Sequence, residues 1–360
     1  MRFASFLLFL LSSINVFSQK QSTVTVTVNR ETQLFAIVTY LSGNIQFVIP
    51  SDYESAVKKE FKSFKKHPAV SEIKNLYKGK DFYIEAVHPM LGFRCSSLPE
   101  LKIIYTPDHV DLAALEKYLQ YLRNFADEIA YQDFYDAHRP AMEAWEKPVL
   151  DTIVKYEMAD KLGNLFRQHK TFTVHLNPFN SWGGQAFVPN EHYADTNASF
   201  ILGYNSYTAS SGKDKPPFFN SRAMLVELLW HEGAHTYINA RIKKNLKLFD
   251  ESQSLLNEQR QTTLQKAGKF KWEWEYFLDE QITRATVAYL LLINMGEVDW
   301  LKECARQEQM GFTFTKEISL LLKTYDNDKA KYPDFTDFLP TIADFLKVKA
   351  KNSYGQSSQK

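Results

Sequence analysis

The apolar positions along this chain follow three rhythms in turn. From Ser22 to Val28, Thr and Val alternate, the period of two expected for a strand with one buried face. Glu31 to Leu41 then places Leu34, Ile37, Val38 and Leu41 at helical spacing. Tyr53 to Lys66 is a basic amphipathic segment with Phe61 and Phe64; it ends at His67-Pro68, and its lysines read as a solvated helix face. Longer helical patterns run from Asp111 to Tyr135 and from Arg139 to Gln168. Pro140 and Pro148 restrict where the second can start, because a proline ring clashes with the carbonyl one turn back. The front half is therefore mainly helical.

Between Lys170 and Pro217 the rhythm changes to that of a small sheet. Thr171–Leu176 and Ala198–Tyr204 read as strands, and Ser181–Val188 as a turn with a third short strand. After the polar loop Ser210–Pro217, helical periodicity returns. It covers Ser221–Ala240 and Trp272–Asn294 and persists to a polar tail, Asn352–Lys360, expected to be disordered. The pattern predicts a mainly helical α+β protein with a small mixed sheet beside the later helices. It divides the chain into a leader (1–18), an N-terminal α/β region (19–110), a helical region (111–350) and a polar tail (351–360).

Composition narrows the classes. With 44% hydrophobic and 24% charged residues, the 360-residue chain can bury a substantial core, which argues against disorder. Lys+Arg (43) and Asp+Glu (42) nearly cancel, so charge gives no reason to expect nucleic acid or an anionic membrane as partner. The amino terminus has the layout of a secretory signal peptide: Met1-Arg2, an apolar run from Phe3 to Phe17, then Ser18-Gln19-Lys20. The run is too short for a spanning helix and no Cys follows it. The expectation is a secreted or periplasmic protein beginning near Gln19, with no stable membrane insertion after leader removal. Cys95 and Cys304 lie far apart without a cysteine framework, which favours two independent buried thiols over a bridge.

The chemistry concentrates in the Ser221–Ala240 segment, at His231-Glu232-Gly233-Ala234-His235. Four residues make about one helical turn, so the two imidazoles leave one face together and can grip a single tetrahedral Zn2+. Glu232, rotated just off that face, stands where a general base can reach a water without being a ligand. The flanking Leu229, Ala234 and Thr236 are uncharged, as in a buried helix. Gly233 weakens helix propensity with no packing gain apparent from the sequence. No His follows His235, so a carboxylate must complete the site. Glu280 is the choice, because Glu280, Thr283, Arg284, Val287 and Leu291 share one helix face; Asp279 and Glu275 are the alternatives. An ordinary exposed Glu280–Arg284 ion pair has the same spacing. Asn239 and Arg284 are candidates for orienting the ligands, and Tyr204, Tyr207, His192 and Tyr193 for oxyanion stabilisation.

An HExxH helix followed by a Glu on a later helix resembles the gluzincin metallopeptidases. The finer pattern resembles a family of secreted bacterial proteins within them that is known mainly as a domain of unknown function. The stretches that carry this are Val28–Ile37, His67–Val70, His231–Asn239 and Glu280–Ala285. The resemblance implies a zincin-like fold with His231, His235 and Glu280 on zinc and Glu232 as catalytic base, and it implies no particular substrate. The Asn-Glu-x-x-x-Asp pattern of the best-studied gluzincins is absent around Glu280. The expected function is zinc-dependent hydrolysis, with a peptide or protein as substrate. A non-peptidase zinc amidase and a catalytically silent binding protein on the same scaffold are the alternatives.

Overall fold

The computed structural model describes residues 22–43, 51–76, 89–106, 110–179, 184–187, 197–203, 222–256 and 274–357. The leader, the Ser210–Pro217 loop, and His192, Tyr193, Tyr204 and Tyr207 lie outside the described residues.

Among these residues the chain is mainly helical with one four-stranded sheet, an α+β arrangement. The first strand, β1 (Thr23–Thr27), leads into α1 (Arg30–Leu41), where the Asn29 side chain caps the Thr32 N–H. Helix α2 (Asp52–Phe61), capped by Ser51, gives way to a 3₁₀ turn over Lys62–Lys66, so the basic segment is helical only in part. A single turn, α3 (Pro68–Glu72), follows.

The two long helical patterns become three helices: α4 (Leu112–Glu128), α5 (Tyr131–Lys155) and α6 (Met158–Phe166). The breaks fall at Ala130 and Glu157, both at positive φ (47° and 51°), and the expected break between Tyr135 and Arg139 does not occur. Pro140 and Pro148 both lie inside α5. That helix is amphipathic and largely exposed on one side, where water can satisfy the carbonyls that the prolines leave without a partner.

The sheet order is β1-β2-β4-β3, with β2 at Thr171–Asn177, β3 at Gly184–Phe187 and β4 at Asn197–Gly203. β1 and β2 pair in parallel (Val24↔Phe172), as do β2 and β4 (Phe172↔Ala198), whereas β3 runs antiparallel along β4 (Gly184↔Leu202). The amino-terminal strand therefore joins the sheet, which sequence had assembled from the later strands alone.

Among the described residues five further α-helices follow: α7 (Arg222–Asn245), α8 (Trp274–Met295), α9 (Glu297–Gln309), α10 (Thr315–Asn327) and α11 (Phe335–Ser357). Helix α11 continues to Ser357, through most of the segment expected to be disordered, because the backbone hydrogen-bond ladder of the preceding turns propagates into it. Cys95 and Cys304 are both free and buried.

The core that fixes α7 is aromatic. Tyr237 stacks on Phe166 with centroids 4.5 Å apart, and Trp230, fully buried, donates its indole N–H to the Met158 carbonyl. Two buried cations hold the same helix through its carbonyls: Lys170 donates to the Thr236 oxygen at 2.8 Å and Arg241 to the Tyr237 oxygen at 2.7 Å. Arg241 is also paired with Asp334 at 2.6 Å. One continuous hydrophobic cluster runs from Val26 to Ala350, so the helix that carries the HExxH motif is clamped on several sides.

Candidate metal centre

Helices α7 and α8 pack against each other and bring three donor groups to one point. His231 and His235, one turn apart on α7, present their rings edge to face, with the two Nε2 atoms 3.1 Å apart. Glu280 on α8 places Oε1 3.4 Å from the His235 Nε2 and Oε2 3.6 Å from the His231 Nε2. Bonds of about 2.0–2.1 Å to a tetrahedral ion require donors about 3.3–3.4 Å apart; the two imidazole nitrogens are 3.1 Å apart, and each has one Glu280 oxygen at 3.4 or 3.6 Å. His231, His235 and Glu280 are thus a group that can hold a metal ion. Asp279 is buried one residue earlier with an unpartnered Oδ1, and neither it nor Glu275 belongs to the group. Glu280 is 5% exposed, which removes the surface ion-pair reading.

The surroundings suit a cation. The His235 Nδ1 lies 2.9 Å from the Asn239 Oδ1 and 3.2 Å from the Thr283 hydroxyl. An amide oxygen only accepts, so Nδ1 carries the proton and donates it, which leaves the Nε2 lone pair facing the cluster. Burial pushes His231 well below the usual histidine range, against the pull of the Glu280 charge, so its imidazole is neutral, as a ligand must be. Burial also pushes His235 down, but the hydrogen bond and charge of Glu280, with Glu232 and Asn239, lift it to about 9. Without a metal, His235 accordingly keeps a proton that bridges towards Glu280. Burial raises the Glu280 carboxyl, and Arg284, His231 and His235 more than reverse this, holding it well below the carboxylate range.

Glu232 sits on the other side of the cluster, against β3. The Ala186 backbone N–H hydrogen-bonds its carboxylate, while burial raises its pKa to about 7. Contact with the strand is so close that a Cβ on Gly184 would stand 2.4 Å from the Glu232 Cγ. Gly233, the residue that weakens the helix, has a similar cause: its Cβ would fall 2.5 Å from Cδ1 of Leu162 on α6. A side chain at the motif glycine would have to displace the Leu162 methyl that packs there between α6 and α7.

Arg284 completes the surroundings. Its Nε and one terminal nitrogen bind the Glu280 Oε2 at 2.9 and 2.7 Å, and its other terminal nitrogen donates to the Gln307 Oε1 at 2.9 Å. Its guanidinium lies 4.2 Å from the Phe312 ring centre. Asn239 and Arg284 therefore both take places beside the ligands that their spacing allowed. Thr283 was visible only as one position of an apolar helix face. Gln307 and its neighbour Glu303 come from a separate helix and leave no local signal.

A family model described as a domain of unknown function (DUF4932) matches residues 104–345, more than half of the chain and the whole of this centre. No curated protein and no solved structure matches the chain.

Proposed function

The chain belongs to the DUF4932 family, whose description assigns no activity, and for this member we propose a zinc-dependent hydrolase acting on peptide bonds. The observation that carries the reading is the convergence of two imidazole nitrogens and a carboxylate at distances that suit one metal ion, with a second carboxylate, Glu232, beside them and outside the ligand group. Two imidazoles and one carboxylate are a donor set that suits zinc, and the fixed tautomer of His235 is the outer support such a ligand needs.

Bound there, zinc supplies Lewis acidity, enough to bring a water's pKa down to about 7 and to polarise a scissile carbonyl. Glu232 moves the proton. Buried beside the cluster and held by the Ala186 N–H, its carboxylate can take a proton from water and pass it to a leaving amine, serving as base and then as acid. The Ala186 N–H and the missing Cβ of Gly184 hold that carboxylate beside β3. Among the described residues β3 is an edge of the sheet, and an extended peptide laid along it would pass Glu232. The same reading takes the ligand set as gluzincin-like, the fold as zincin-like and the leader as an export signal.

The test is a peptide-library digestion by the zinc-loaded full chain and its Glu232→Gln variant. Cleavage with a defined preference is expected, reduced at least about 10²-fold in the variant while zinc is retained. Turnover restricted to non-peptide amides would move the substrate class to that of an amidase. Zinc binding with no turnover of any amide would leave a binding protein.

A further inference from the structure

The Glu280–Arg284 contact does not end at Arg284. Gln307, 1% exposed on α9, accepts from Arg284 through Oε1 and donates through Nε2 to Glu303, itself 3% exposed. Glu303 in turn binds Arg306 at 2.7 and 2.8 Å. A guanidinium can only donate and an ionised carboxylate can only accept, so these two ends dictate which way the Gln307 amide points. Arg284 is held on three sides: by Glu280 along one edge, by the Gln307 oxygen at the other, and by the Phe312 ring against its face.

We propose that Gln307 and Glu303 are positioning residues for the third metal ligand: they hold Arg284 on Glu280 and so fix the orientation in which that carboxylate faces the two imidazoles. The proposal rests on the metal-site reading given above. Both Arg284 contacts fall on Oε2, which lies 3.6 Å from the His231 Nε2, while Oε1 lies 3.4 Å from the His235 Nε2, so the guanidinium sets how the carboxylate spans the two imidazoles. A carboxylate free of Arg284 could turn about its last side-chain bond and lose this placement between the two imidazoles. Gln307 and Glu303 touch neither the ligands nor Glu232, so their part is played through Arg284. In the fold they join α9 to α8 behind the metal-binding face.

The test uses the full chain loaded with cobalt(II) or zinc, comparing wild type with Gln307→Leu and, in case that variant fails to fold, Glu303→Gln, which keeps the shape and removes the charge that orients the amide. Losing an outer-shell partner typically costs 10–100-fold in metal affinity, so a loss of about tenfold is expected for Gln307→Leu by chelator competition. The cobalt visible absorption should shift at the same time, because a turned carboxylate changes the donor arrangement around the ion, a change that loosened packing away from the site would not produce. A spectrum and an affinity within twofold of wild type in a folded variant would overturn the proposal. Wild-type protein that binds neither metal would instead overturn the metal-site reading and remove the proposal with it.

Discussion

Gly184→Ala tests the placement of Glu232 with the fewest assumptions. The added methyl would stand 2.4 Å from the Glu232 Cγ and 2.7 Å from both its Cδ and Oε1, whereas relaxed carbon contacts lie at about 3.5–4.0 Å. An overlap of roughly 1 Å must be relieved by the carboxylate or by β3, which pairs with β4 and is anchored by Phe187 in a cluster with Met90 and Ile201. Overpacking of this kind costs about 1–3 kcal/mol. For a chain of 360 residues that is a fall in Tm of roughly 1–4 °C. The φ of Gly184 lies outside the left-handed region, so the backbone itself accepts alanine. With Glu232 shortened to alanine, the methyl enters free space, and the same substitution should be neutral or should stabilise by up to about 1 kcal/mol through the unfolded chain. The assay is a double-mutant cycle by thermal and denaturant unfolding of metal-free protein. An equal cost of Gly184→Ala in both backgrounds would refute the contact, and with it the account of how Glu232 is held.

Two further outcomes are expected. Asn239→Leu removes the acceptor that fixes the His235 proton on Nδ1, and zinc affinity should fall about 10–100-fold by chelator competition; unchanged affinity would assign the tautomer to Thr283 alone. Asp334, whose pKa burial would raise, is instead lowered to about 2 by Arg241 and by hydrogen bonds from Thr336. A depressed carboxylate stabilises the fold above its unfolded pKa of 3.8 and loses that contribution as pH falls towards 2. Its side chain is 40% exposed, so screening leaves about 1 kcal/mol, and Asp334→Asn should show a correspondingly shallower loss of stability across that window in acid-unfolding curves.

What could be read in the sequence was what is local. The two histidines and Glu232 follow from helical spacing alone. Glu280 followed because no histidine remained and because the apolar face of its helix points inwards. Relations between distant segments were not legible. Gly233 stood out as an anomaly, but its cause, Leu162, belongs to a helix far earlier in the chain. The break at Ala130 carries no proline or glycine, and two prolines that suggested a boundary lie within α5. Tertiary packing decides such positions, and propensity is only a weak guide there. Likewise, the Thr and Val alternation of β1 indicated a strand, while its partner, β2, lies more than a hundred residues later.

The most direct test of the metal centre is the zinc content of the purified full chain by elemental mass spectrometry, with His235→Ala and Glu280→Ala measured in parallel. The account requires close to one zinc per wild-type chain and its loss from both variants. It would be contradicted by wild-type protein that takes up no zinc even when zinc is added back, or by a Glu280→Ala variant that keeps its full complement.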